Sequence, residues 1–267
     1  MNPVLAVEGL TITTTSGAVL VDDISFTLAP GEQLGLIGES GSGKSVTSLA
    51  LIGLLPRALK ATGSIQAGGV EVIGASEAEL TRLRGSGVAM VSQDPSRALD
   101  PLARIGSQVA EPLRRHRRLR NLELRAEVER ALAEVALPDL DRIVHSFPHE
   151  LSGGQRQRVA MAMAIACRPS VLIADEPTTA LDVTVQAEVT ALLAELSREH
   201  TMAMLFISHD IALVSGVVDS AIVMKDGKIV ERGPIAQIVT EPRHPYTRSL
   251  VGSAAALENA LTTGTIR

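Results

Sequence analysis

Aromatic residues are nearly missing from this chain of 267 residues: Phe26, Phe147, Phe206 and Tyr246 are the full set, and tryptophan is absent. A ligand ring therefore has few aromatic partners to stack on. Cysteine is as scarce. Cys167 stands alone, which excludes an intrachain disulfide and a cysteine-built metal cluster, and its apolar helical surroundings read as core. No uninterrupted apolar stretch approaches the ~20 residues that span a bilayer. Met1 to Gly31 shows no basic start followed by an apolar block, so no signal peptide is expected there. Any membrane role must be borrowed from partner chains. The net charge of −5 argues against general nucleic-acid binding. No internal repeat and no low-complexity tract is visible. The length suffices for one large α/β domain or a domain with a lobe inserted.

What is present begins with Gly38-Glu39-Ser40-Gly41-Ser42-Gly43-Lys44-Ser45, behind the apolar run Leu34 to Ile37. This matches G-x-x-x-x-G-K-[ST], a strand-to-helix loop whose backbone N–H groups, here through Val46, cradle phosphate oxygens. Lys44 is expected to reach the β- and γ-phosphates and the Ser45 hydroxyl to ligate Mg²⁺. Val46 to Leu55 reads as a helix stopped by Pro56, with its N-terminus toward the phosphates.

In chain order, Val4 to Thr15 and Val19 to Leu28 read as two antiparallel strands, and Gly63 to Ile73 as short strands around Gly68-Gly69. Ser76 caps a helix that opens with acids. Val88 to Ser92 is a buried strand delivering Gln93. From Asp94 to about Ser152 the sequence turns charged and helical, with apolar spacing over Ile105 to Leu119 and Glu123 to Val135. Its basic run, Arg114 to Arg120, reads as a solvated helix face. Val171 to Ala174 and Met202 to Ile207 are buried strands, and Val183 to Arg198 is an amphipathic helix. Asp226-Gly227 marks a hairpin between Ala221 to Met224 and Lys228 to Glu231. Beyond Thr240 the tail opens with Glu-Pro and His-Pro steps and ends in a weakly patterned segment.

Two further motifs narrow the chemistry. Val171 to Glu176 places two acids at the end of a buried strand. Asp175 would hold Mg²⁺ through its water shell, and Glu176 would polarise the attacking water as general base. Leu151-Ser152-Gly153-Gly154-Gln155 opens a helix with exposed N–H groups, a second anion site. Two anion sites and one nucleotide suggest that one copy's second site closes on the nucleotide held by another.

With these motifs in this order, the sequence resembles the ATP-binding subunit of an ATP-binding-cassette transporter over about Val4 to Leu250. The resemblance implies an α/β phosphate-loop core with an antiparallel β subdomain and an inserted helical subdomain near 94–158. The cassette would span 1–250, followed by a tail over 241–267. It further implies that Ser152, Gly153, Gly154 and Gln155 complete the partner subunit's ATP site and that Ala180-Leu181-Asp182 crosses the dimer interface. Gln93 would contact Mg²⁺ and water while relaying nucleotide state, and His209 would contact the γ-phosphate. ATP and Mg²⁺ are the implied cofactors. The implied partners are a second ATP-binding subunit, two transmembrane permeases and an extracytoplasmic solute-binding protein, with no nucleic acid. The place of work would be the cytoplasmic face of a bacterial inner membrane.

Arg243-His244-Pro245-Tyr246-Thr247, Ser92-Gln93-Asp94-Pro95 and the long helical insert resemble the importers for dipeptides, oligopeptides and nickel. Many members carry a cysteine cluster after the His-Pro-Tyr-Thr segment, and this chain has none. Peptide import is the first expectation and nickel import the alternative. A soluble cassette ATPase and a non-catalytic regulatory cassette are more distant ones. Related cassettes stack adenine on an aromatic about two dozen residues before the phosphate loop. Counting back from Gly38 reaches Thr13-Thr14-Thr15, with no aromatic nearby, and Phe26 is expected to face the core. Weak discrimination of ATP from GTP follows.

Overall fold

The computed structural model describes residues 2–178 and 182–262, which form an antiparallel sheet and a mostly parallel one. Strands β1 (Leu5–Thr14) and β2 (Val19–Leu28) form a hairpin, and β3 (Gln33–Ile37) leads through the glycine-rich loop into α1 (Lys44–Leu51). Next come β4 (Leu59–Ala67), β5 (Val70–Glu71), α2 (Glu77–Leu83) and β6 (Val88–Val91). The helical lobe holds α3 (Pro95–Ala98), α4 (Ile105–Pro112), a π-helical turn at Leu113–Arg117, α5 (Asn121–Glu134), α6 (Leu140–His145) and α7 (Gly153–Ile165). The chain returns through β7 (Val171–Asp175), α8 (Val183–Glu199), β8 (Ala203–Ser208), α9 (Ile211–Ser215), β9 (Ser220–Lys225) and β10 (Lys228–Pro234). It ends in α10 (Ile235–Thr240) and α11 (Pro245–Thr262).

The antiparallel sheet has the order β2-β1-β4-β5, and the larger sheet β10-β9-β3-β8-β7-β6, parallel except at β10. In β7 and β8 every residue is apolar except the last, Asp175 and Ser208, and all are buried. Both faces of this sheet are covered, which is why its strands read as continuous apolar runs. Leu172, Met204 and Phe206 point into a core shared with the helical lobe, while Leu34, Ile173 and Leu205 point into one shared with the antiparallel sheet. Phe26 is 2% exposed and belongs to the second core.

Several boundaries differ from the sequence expectation. Helix α1 stops at Leu51 rather than Leu55. Gly53 takes φ +65°, its N–H donates to Ala50 O at 3.0 Å, and Leu54 N–H donates to Leu49 O at 2.9 Å. That is a Schellman cap, so a left-handed glycine ends the helix before Pro56 can. Strand β4 starts at Leu59, four residues before Gly63, because β1 pairs with it as far as Thr14↔Leu59. The expected helix Ile105 to Leu119 is a helix followed by a π-helical turn, closed by Arg118 at φ 54°. Within that basic run Arg117 pairs with Glu127, and Arg115 with Glu111 at 3.5 Å. Helix α6 was not apparent in the sequence, and the weakly patterned tail is helical through Thr262.

Candidate functional site

Sheet order builds the site. Because β3, β8, β7 and β6 are parallel neighbours, their carboxyl ends lie side by side. The loops leaving them therefore bring together Gly38 to Ser45, His209, Glu176 and Ser92-Gln93 from four distant parts of the chain. Ligands of open parallel sheets bind at such carboxyl ends.

The phosphate loop is shaped by close packing. A Cβ on Gly38 would lie 2.3 Å from Met224 O, so only glycine fits. Gly227, in the turn between β9 and β10, donates its N–H to Ser42 O at 3.1 Å and buttresses the loop from outside. Helix α1 has no side-chain N-cap and no acid in its first turn, which leaves its N-terminal N–H groups to an anion. Lys44 is buried. Its Nζ donates to Gly38 O at 2.6 Å and to Glu39 O at 2.9 Å. Burial pulls this ammonium below its ordinary value, while the charges of Glu176, Asp175 and Glu39 oppose that.

Two cavities meet at Ser45. One, of about 480 Å³, runs from Gly41, Lys44 and Ser45 to Val19, Leu20 and Asp226, with Glu176 on its wall. The other, of about 550 Å³, is lined by Ser45, Met90, Ser92, Gln93, Asp94 and Asp175. Asp175 Oδ2 accepts from Ser48 Oγ at 2.7 Å, whereas the buried Oδ1 has no hydrogen-bond partner among the described residues. Burial pushes the Asp175 carboxyl up; Ser48 lowers it, Glu176 raises it and Lys44 lowers it. A buried carboxylate oxygen left over beside a hydroxyl and an amide is an oxygen-only donor set. Such a set suits a hard cation, and Ser45, Gln93 and Asp175 fit Mg²⁺.

Glu176 sits at φ 46°, a left-handed conformation that costs a non-glycine residue, and its N–H donates to Ile207 O at 2.9 Å. His209 Nδ1 lies 3.2 Å from Glu176 Oε1. With Glu176 ionised, that nitrogen carries the proton. The strand ends thus hold a carboxylate, an imidazole and a lysine around one phosphate-binding loop.

The remaining expected residues lie elsewhere. Ser152 caps α7 in a capping box: Gln155 N–H donates to Ser152 Oγ at 3.2 Å, and Ser152 N–H to Gln155 Oε1 at 3.0 Å. Gly153 and Gly154 form the first turn of α7. None of Leu151 to Gln155 lines either cavity among the described residues. Asp182 caps α8 by accepting from Val185 N–H at 3.1 Å. Ala180 and Leu181 lie outside the described residues.

The count back from the loop leads to an expectation of adenine near Thr13 to Thr15. Thr13 to Thr15 do not line the cavity; Val19 and Leu20 do. Thr14 Oγ1 instead accepts from Ala18 N–H at 3.0 Å inside the β1–β2 turn. Sequence reasoning also missed Ser48 and Tyr246. Ser48 was legible in principle, one helical turn after Lys44 on the same face. Tyr246 Oη accepts from Glu39 N–H at 2.8 Å, a contact across 207 positions that no local pattern signals.

Comparison with known proteins agrees with this geometry. The family model described as ABC transporter matches residues 21–179. A protein of Brucella melitensis biotype 1, provisionally named a peptide import ATP-binding protein, is 47% identical over 97% of this chain and 79% of its own length. The peptidoglycan transport ATP-binding protein YejF of Agrobacterium fabrum is 44% identical over 94% of this chain and 47% of its own length. Among solved structures, the cassette MJ0796, as a post-hydrolysis dimer bound to ADP and Pi, superposes with a TM-score of 0.75 at 27% identity, covering 86% of this chain and 98% of that one. Clostridium perfringens cbiO1, part of the transporter complex cbiONQ, gives 0.78 at 29% identity, covering 90% and 92%. The chain belongs to the ABC transporter family, as one of its ATP-hydrolysing cassettes.

Proposed function

We propose that this cassette hydrolyses Mg-ATP on the cytoplasmic face of a bacterial inner membrane to drive import of short peptides. The observation that carries the chemistry is the unpartnered, buried Asp175 Oδ1, which shares a cavity with Ser45 and Gln93 beside Glu176. Ser45, Gln93 and Asp175 hold Mg²⁺, which when bound supplies positive charge against the phosphate oxygens. Lys44 and the N–H groups of the loop through Val46 bind and orient the phosphates. Glu176 accepts the proton of the attacking water. His209 donates its Nδ1–H to Glu176 and keeps that carboxylate aimed, while its Nε2 side reaches toward the γ-phosphate.

Peptide is favoured over nickel as the solute because the curated relatives are named for peptide and peptidoglycan transport. The complex comprises a second ATP-binding subunit, two permeases and an extracytoplasmic solute-binding protein. No helix among the described residues is long and apolar enough to cross a membrane, so the permeases form the path. An apolar groove of about 410 Å³ between the core and the helical lobe suits a permease's cytoplasmic segment. Its walls include Ile52, Leu54, Met90 and Met163, and Met90 also lines the cavity of Gln93 and Asp175. A segment docked there touches the wall of the nucleotide site. The cassette occupies 1–250 with the helical subdomain inserted at about 94–158, and 241–267 forms the tail.

The test is peptide uptake into proteoliposomes carrying the assembled transporter. Glu176→Gln should cut ATP turnover by about 10²–10⁴ and stop uptake while ATP binding persists. Near-normal turnover would remove Glu176 from the role of base. Uptake of nickel but not peptide would overturn the solute.

A further inference from the structure

The chain's only tyrosine ends on the phosphate loop. The N–H that Glu39 donates to Tyr246 Oη, at 2.8 Å, belongs to the Gly38–Glu39 peptide. The carbonyl of that same peptide, Gly38 O, accepts from Lys44 Nζ at 2.6 Å. One peptide is therefore pinned at both ends, by the lysine that would bind phosphate and by a side chain from the far end of the sequence.

Tyr246 is itself firmly placed. It is 8% exposed within the core that includes the helical lobe, and Lys225 Nζ sits 5.1 Å from its ring centroid. The segment before it is tied down by Glu231, whose carboxylate accepts from Arg243 N–H at 2.8 Å and His244 N–H at 2.9 Å. Helix α11, which begins at Pro245, packs on α9, the helix just after His209. The C-terminal segment thus touches both the phosphate loop and the element following the His209 strand end.

Packing alone would be served by phenylalanine. What the hydroxyl adds is an acceptor for a backbone N–H in the loop. Accepting there anchors the Gly38–Glu39 peptide to a buried ring. It also stops the peptide from rotating, so its carbonyl keeps one direction. Lys44 has to exchange the carbonyls for phosphate oxygens when nucleotide binds, and its starting point is set by where Gly38 O points.

We propose that Tyr246 is a positioning residue for ATP: it fixes the Gly38–Glu39 peptide and, through its carbonyl, holds Lys44 in register for the incoming phosphates. The C-terminal segment is then a working part of the nucleotide site. This rests on the reading of Gly38 to Ser45 as the ATP phosphate loop.

The experiment compares Tyr246→Phe, Glu231→Gln and Lys44→Ala in the full chain, measuring ATP affinity by titration calorimetry and KM and kcat in the assembled transporter. Tyr246→Phe keeps the ring and deletes the hydroxyl. Its dissociation constant and KM for ATP should rise about 3- to 10-fold, the loss of one hydrogen bond, while kcat at saturating ATP stays within about twofold. A purely structural role would do the reverse, because partial unfolding lowers kcat and leaves the surviving molecules' KM unchanged. Glu231→Gln retains Tyr246 but loosens its anchor, and should raise KM in the same direction. If Tyr246→Phe does not fold, this variant decides. ATP affinity and KM within twofold of wild type in the folded Tyr246→Phe protein, or unchanged KM in Glu231→Gln when it must decide, overturns the proposal. Lys44→Ala separates the two readings: if it abolishes binding while Tyr246→Phe does nothing, only the tyrosine's role is lost. Normal binding by all three would remove the loop assignment itself.

Discussion

Among the described residues, Ser48 alone hydrogen-bonds the buried Asp175 carboxylate. Removing its hydroxyl leaves two unsatisfied oxygens in the core, so Ser48→Ala should destabilise the free protein by about 1–3 kcal/mol. It should also raise the Mg²⁺ concentration needed for half-maximal ATPase, because nothing then orients Asp175. A thermal melt and a Mg²⁺ titration check both effects, and an unchanged Mg²⁺ requirement would count against Asp175 as the metal-side carboxylate. At the far end of the neighbouring cavity, which starts at the phosphate loop, the walls are the aliphatic Val19 and Leu20. Val19 is 55% exposed at the cavity edge. Val19→Tyr should tighten ATP binding, since a base stacked on an aromatic gains about 1–3 kcal/mol. Thr14→Tyr should not, because it breaks the Thr14–Ala18 bond of the turn instead. A competition titration against GTP distinguishes the two positions. Counting residues back from the loop reaches the end of β1, whereas the residues that border the cavity, Val19 and Leu20, lie across the hairpin turn at the start of β2. Gly38 to Ser45, Asp175 and Glu176 were legible because their chemistry is local to one strand end. Ser48 was legible only as a helix-face neighbour of Lys44, and Tyr246 not at all, because their partners Asp175 and Glu39 are 127 and 207 positions away.

Elements read well where burial is two-sided and poorly where pairing or capping decides. Strands β7 and β8 announce themselves as apolar runs ending in a polar residue. Strand β4 does not: its first residues, Leu59-Lys60-Ala61-Thr62, are strand only because β1 templates them. Helix α1 ends at a left-handed glycine, and a Cβ on Gly53 would sit 2.8 Å from the Leu80 side chain. The short β5 depends on one carboxylate. Glu71 accepts from the N–H groups of Ile65 and Ile73, at 3.0 and 3.1 Å, and from the side chains of Ser64 and Gln66. Slight burial raises this carboxyl, but those donors outweigh it and hold the group below its ordinary value of 4.5. A carboxyl lowered on folding stabilises above its unfolded pKa and loses that contribution as pH falls through the folded one. Glu71→Gln should therefore cost under about 1 kcal/mol at neutral pH, exposure having screened the interaction. The gap to wild type should close as the pH drops below 4.5, the ordinary value. Denaturant melts of both proteins across pH 3 to 7, roughly the range over which a carboxylate titrates, test it. A gap independent of pH would mean that shape, not charge, holds β5.

At the scale of the whole molecule, α7 opens with the stretch expected to be a second anion site. The first turn of α7 exposes N–H groups, yet Ser152 to Gln155 line neither cavity at the phosphate loop among the described residues. A site completed by a second copy makes a prediction that a single-chain site cannot. Suppose Ser152→Ala and Lys44→Ala are each made alone; a dimer of either variant then carries two damaged sites. In a mixed dimer the two defects fall together on one site. The phosphate loop of the Ser152→Ala chain is intact and meets the intact Ser152 of the Lys44→Ala chain, so the other site is whole. Mixing the two inactive proteins should restore ATPase above either alone, with the gain greatest at equal proportions. Because Ser152 also caps α7, its loss costs about 0.5–2 kcal/mol, and the measurement is made well below the variant's melting temperature. The isolated Ser152→Ala chain should bind ATP as wild type does, since its own loop is untouched. If the mixture stays as inactive as its components, with each variant folded and dimer formation shown by sedimentation, Ser152 does not act across the interface, and the closing of two cassettes on shared ATP must be abandoned for this chain.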